Sequence, residues 1–125
     1  MNLIQVIVIA IGGAIGALLR YWMSIWVYSF AGQGFPYGTL AVNVSGSLLI
    51  GFLYILIERM GLGIEWRAAL LIGLIGAFTT FSSFSLETLN LFEQGEQLKA
   101  AMNIVLSVVL CLFATWLGIL AARQL

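Results

Sequence analysis

The sequence predicts an all-α membrane protein of four transmembrane helices, the third broken mid-membrane, working as an antiparallel dual-topology homodimer. Three observations lead there: the composition, the spacing of the charges, and a run of hydroxyl residues inside one apolar segment. Of 125 residues, 62% are apolar and 8% charged, with a mean hydropathy of +1.11. A soluble domain is about one-quarter charged, so five Lys+Arg and five Asp+Glu cannot coat this chain for water. Zero formal charge without a basic block gives no footprint for nucleic acid, and no His with one Cys removes the usual zinc and disulfide sets.

The charges divide the chain. Uncharged runs cover 1–19, 21–57, 68–86 and 100–122, and a bilayer core needs about 20 apolar helical residues. The second run is long enough for more than one helix and divides at Ala31-Gly32-Gln33-Gly34-Phe35-Pro36-Tyr37-Gly38, which holds the only proline. The expected helices are Leu3–Phe30, Gly38–Ile57, Trp66–Phe92 and Leu98–Arg123, antiparallel to their neighbours because the connections are short. The first run lacks the basic start of a secretory signal and continues past Arg20 into an aromatic-rich turn, so it reads as a span. The whole of 1–125 reads as a single transmembrane domain.

With four spans the termini share one side with the Glu58–Arg67 loop. That side carries Arg59, Arg67 and Arg123, against Lys99 and at most Arg20 on the other. The imbalance is too small to fix an orientation, and insertion both ways follows. A lone four-helix unit fills its own centre. Two oppositely inserted copies instead form an inverted repeat with the solute path at the repeat interface. Small residues at Gly12/Gly16, Ser47/Gly51 and Ala114/Gly118 offer close helix contacts for such an assembly.

Polar groups inside the spans are the candidate site. Arg20 either snorkels to the interface beside Tyr21, Trp22 and Trp26 or lines an anion-attracting vestibule. Thr39, Asn43 and Ser47 share a helix face, where the amide serves an anion or another helix. In the third span Thr79, Thr80, Ser82, Ser83 and Ser85 put five hydroxyls into seven positions just after Gly73 and Gly76. That pattern predicts a break between Gly76 and Thr80, and non-helical backbone at such depth survives only inside protein or beside water. Freed carbonyls of two copies can hold one monovalent cation. Phe81 and Phe84 fall on neighbouring azimuths, and their positive ring edges can face a small anion or simply pack. Thr79, Ser83 and Glu87 form an i, i+4, i+8 row ending in a carboxylate that accepts, orients a hydroxyl, or is solvated. Asn103, Ser107, Cys111 and Thr115 form a polar stripe on the fourth helix, with Cys111 read as an inert small residue.

Three segments now carry a resemblance: Gly16-Ala17-Leu18-Leu19-Arg20-Tyr21, Gly38-Thr39-Leu40-Ala41-Val42-Asn43-Val44-Ser45-Gly46-Ser47 and Thr79-Thr80-Phe81-Ser82-Ser83-Phe84. Together they resemble the bacterial Fluc (CrcB-type) fluoride channels across all four helices. The resemblance implies an antiparallel homodimer in the bacterial inner membrane, surrounded by membrane lipid, with two passive fluoride pathways and a central structural Na+ (sodium). By motif position Phe81 and Phe84 match the aromatic pair at fluoride, Asn43 the pore-mouth amide and Arg20 the vestibule arginine. Gly76 and Thr79 match the sodium-binding carbonyls, and Ser83, Glu87, Ser107 and Thr115 the polar track. Ala77 departs from the family where a second glycine is frequent. Asn103 and Cys111 occupy track positions often filled by other polar residues.

The expected function is therefore a fluoride-selective channel, and not an enzyme. A small multidrug-type proton-coupled exporter has similar length and topology but needs a carboxylate in its first helix, where this chain has only Arg20. A non-transporting assembly subunit is the third reading, and it predicts tolerance of changes at Phe81 and Phe84.

Overall fold

The computed structural model describes residues 2–125, all of whose regular elements are helical. Helix α1 spans Leu3–Ala31 and α2 spans Tyr37–Met60. The third span begins as α3 (Ile64–Arg67), widens into a π-helical segment (Ala68–Ile75), tightens into α4 (Gly76–Phe78), breaks at Thr79 and Thr80, and resumes as α5 (Phe81–Glu93). Helix α6 spans Gln97–Arg123. Four segments, 3–31, 37–60, 64–93 and 97–123, are long and apolar enough to cross a membrane, and the protein is a multi-pass membrane protein.

Local chemistry sets the ends. Asn2 accepts from the Gln5 amide at 2.8 Å while the Gln5 side chain accepts from the Asn2 amide at 3.3 Å, a reciprocal cap that starts α1. Gly61 ends α2 in the left-handed region (φ 65°), a conformation that costs glycine nothing. Arg67 lies 5.3 Å from the Tyr54 ring centre, tying the short loop after α2 back to that helix.

Two helix pairs make the scaffold: α1 against the π-helical segment and α4, and α2 against α6. Glycines set both distances. A Cβ on Gly16 would stand 2.2 Å from the Leu74 carbonyl oxygen, and one on Gly12 2.4 Å from that of Ala69. Across the other pair, Gly51 meets the Thr115 carbonyl and Gly118 the Leu48 carbonyl at 2.2 and 2.1 Å. The small residues read as available for assembly are thus used inside one chain. In lipid such close backbone approach supplies the packing that water would otherwise drive.

The break falls within the expected stretch 76–80, at its C-terminal end. Gly76 is still helical (φ −58°, ψ −37°), as is Ala77, and the chain extends only at Thr79 (ψ 158°) and Thr80 (φ −149°, ψ 113°). The π-helical segment was not expected at all.

Candidate functional site

The site is organised around the break. In a continuous helix the Thr80 amide would bond the Gly76 carbonyl; here it donates to Asn43 Oδ1 at 2.8 Å, while Asn43 Nδ2 donates to the Thr80 carbonyl at 3.0 Å. One side chain thereby satisfies both backbone groups of an extended residue in the middle of the span, where a lone polar group is costly. One turn further along α2, Gly46 makes room: a Cβ there would stand 2.3 Å from Thr79 Cγ2. Thr80 then caps α5, its Oγ1 accepting from the Ser83 amide at 3.2 Å. The Thr79 hydroxyl returns to the Ile75 carbonyl at 3.0 Å, and among the described residues the Thr79 carbonyl accepts no hydrogen bond.

Asn43, Phe81, Phe84, Ser107 and Cys111 line one groove of about 420 Å³, between α2, the break and α6. The Phe81 and Phe84 rings are 5.3 Å apart between centres and tilted by 45°. Phe84 is half-buried, whereas Phe81 is 78% exposed on this chain, the largest exposure of a big apolar side chain among the described residues. The groove wall is mainly apolar, with the amide of Asn43 and the hydroxyls of Ser47, Thr79, Thr80 and Ser107 set into it.

Arg20 stands elsewhere. It is half-buried and lines a smaller cavity of about 300 Å³ with Ser24, Thr39, Thr80 and Ser83. The only ion pair among the described residues joins Lys99 to Glu96 at 4.0 Å, so Arg20 has no carboxylate within reach. Glu87 accepts from Thr39 Oγ1 at 2.6 Å and from the Tyr28 hydroxyl at 3.2 Å. It faces a third, more polar cavity of about 520 Å³ with Asn90, Gln94 and Lys99. The break removes Thr79 from the row expected with Ser83 and Glu87, because Thr79 lies before α5 and in extended conformation. Thr39 and Asn43 of the α2 row reach α5 and the break at separate points, Glu87 and Thr80.

The α6 stripe is also divided. Asn103 and Ser107 are buried and bonded to each other, Cys111 lines the groove, and Thr115 donates to the Ser47 carbonyl at 3.0 Å where α2 crosses α6. Two participants had no signal in the sequence. Tyr28 is 59 positions from Glu87, and Thr88, buried on α5, accepts from Asn103 at 2.8 Å. Only the fold brings these partners together.

The comparisons agree on one family. The profile described as CrcB-like protein, Camphor Resistance (CrcB), matches residues 7–119. A protein of Methylococcus capsulatus named fluoride-specific ion channel FluC is 58% identical over 100% of this chain, which spans 55% of that relative's length. Proteins of the same name from Shewanella amazonensis and Geobacter metallireducens are 54% and 50% identical, over 91% and 98% of this chain and 92% and 100% of their own lengths. The multi-pass topology, the glycine-seated break and the aromatic groove thus belong to a chain that is a member of the CrcB-like family.

Proposed function

We propose that the chain is a fluoride-selective ion channel, a passive transporter and not an enzyme. The observation that carries this reading is the groove beside the break, where two phenyl rings, a carboxamide and several hydroxyls face one apolar-walled space that contains no carboxylate. The relatives' names supply the ion. Fluoride holds its hydration shell tightly, so a path that admits it must replace water with donors and with the positive rims of rings. Asn43, Ser107, Phe81 and Phe84 offer that chemistry, with Ser83, Glu87 and Thr115 as further polar groups along the same helices. Arg20 collects anions ahead of the groove.

The working unit is an antiparallel homodimer of dual topology in the bacterial inner membrane, with two pathways and lipid on its outer faces. The large exposure of Phe81 and the near-even spread of Lys and Arg across the two ends support it. A structural Na+ between the two breaks fits the donor set. The Thr79 carbonyl takes no hydrogen bond among the described residues, Gly76 has lost its ladder partner and is exposed without a side chain in the way, and both are neutral oxygens of the kind that suit an alkali ion. When bound, the ion supplies positive charge and a crosslink between copies.

Conduction needs no coupled reaction. Fluoride that enters as HF and dissociates in a more alkaline cytoplasm is driven out by the inside-negative potential, about 2.3 kcal/mol per charge per 100 mV. The test is efflux from liposomes containing only the purified protein. Fluoride should leave without a proton gradient while chloride stays, and equal flux of both ions would refute the selectivity.

A further inference from the structure

The side chain at position 103 sits on the expected polar track, yet the structure gives it a different task. Asn103 is 1% exposed, one of the few large side chains with no contact to solvent or groove. Its Nδ2 donates to Thr88 Oγ1 at 2.8 Å, and Thr88 Oγ1 donates in turn to the Phe84 carbonyl at 2.7 Å. Its Oδ1 accepts from Ser107 Oγ at 3.5 Å, and Ser107 lines the groove beside Phe84. A chain of three hydrogen bonds therefore runs from a groove hydroxyl on α6, through the buried amide, to the backbone of the inner phenylalanine on α5.

We infer that Asn103 is a positioning residue, which fixes Phe84 through Thr88 and holds the Ser107 hydroxyl ready for the anion. This rests on the fluoride-channel reading above. The two halves of the amide differ in strength. The Thr88 side is short and fully buried, so the Thr88 hydroxyl has one orientation and bonds back to the carbonyl four residues earlier, which sets the local curvature of α5 and with it the Phe84 Cα. The Ser107 side is at the outer limit of hydrogen-bond length. A hydroxyl held that weakly turns to a stronger acceptor at little cost, and an anion beside Phe84 is such an acceptor. In the absence of the anion the same hydroxyl still has a partner, so the buried amide oxygen is then satisfied.

The experiment uses the purified full chain with Asn103→Leu, Thr88→Val, their combination, and Thr88→Ser, which keeps the hydroxyl. Fluoride efflux per active liposome is compared with chloride leak, and the 19F spectrum of a fluorinated Phe84 ring is recorded in detergent. Counting active liposomes separates the rate of each working channel from the folded fraction. Asn103→Leu and Thr88→Val should each lower the fluoride rate about tenfold and shift or broaden the Phe84 signal. The double variant should match the singles, and Thr88→Ser should stay within about twofold of the parent. Parent-like rates with an unmoved Phe84 signal in the two single variants would overturn the inference, as would fully additive losses. If the parent conducts no fluoride, the channel reading fails by itself, and the Phe84 signal still decides whether Asn103 positions that ring.

Discussion

Asn43 and Thr80 exchange two hydrogen bonds, amide to carbonyl and backbone amide to side-chain oxygen, at 3.0 and 2.8 Å. The pairing imitates a strand ladder with one residue on each side. It is the reason the third span can abandon helical geometry at Thr79 and Thr80 without leaving the Thr80 backbone unsatisfied.

Replacing Asn43 by Leu keeps the volume and removes both partners. Each orphaned backbone group costs about 1–3 kcal/mol, so Asn43→Leu should lose most of its folded protein and its fluoride flux with it. Asn43→Asp retains an acceptor for the Thr80 amide but no donor for the carbonyl, and should fall between. Thermal unfolding in detergent and liposome efflux read the two effects.

Phe81→Ala and Phe84→Ala should each cut fluoride efflux at least tenfold, equivalent to about 1.4 kcal/mol, while the folded fraction changes less for the exposed Phe81 than for half-buried Phe84. Substitution by Leu preserves apolar bulk and removes the ring edge, so efflux should stay low in both Leu variants. Flux at the parent level in the alanine variants would favour a non-transporting subunit.

Gly16→Ala should destabilise the protein by about 1–3 kcal/mol, the usual range for forcing an extra carbon into a packed seam, because the added Cβ would meet the Leu74 carbonyl at 2.2 Å. Gly13→Ala is the control. Its Cβ would find nothing nearer than 4.0 Å, so its stability should equal or slightly exceed the parent's. A shared response of both variants in a denaturant titration would contradict the packing described for α1.

Sodium should strengthen assembly. An ion bound by the dimer alone stabilises it in proportion to the logarithm of its concentration, so the dimer fraction at low protein concentration should rise with NaCl and not with equimolar choline chloride. An identical response to both salts would count against the cation site.

Much of this was legible in the sequence. Each span boundary falls within three residues of the position read from charge gaps and the Gly/Pro turn, because in lipid the length of an apolar run is nearly decisive. The break was legible from its hydroxyls, and it falls at the far end of the expected stretch 76–80. Glycine loosens a helix without ending it, and Gly76 stays helical, whereas the interruption falls where Asn43 stands ready to receive the Thr80 amide. The Glu87–Tyr28 and Asn103–Thr88 pairs were not legible, since hydrogen bonds between distant helices depend on which faces meet. The same holds for the glycine seams. Four-residue spacing marked them correctly, and only the packing told that they close the chain's own interior.

The interruption at Thr79 and Thr80 also has an electrical consequence. It turns one span into two dipoles in series, so that the negative end of the helical stretch ending at Phe78 and the positive end of α5 lie side by side at mid-depth. Both signs of attraction are thereby supplied by peptide groups alone, which neither gain nor lose protons. A conductor built on that polarity keeps the same field in acid as at neutrality, when weak-acid toxicity makes it most needed.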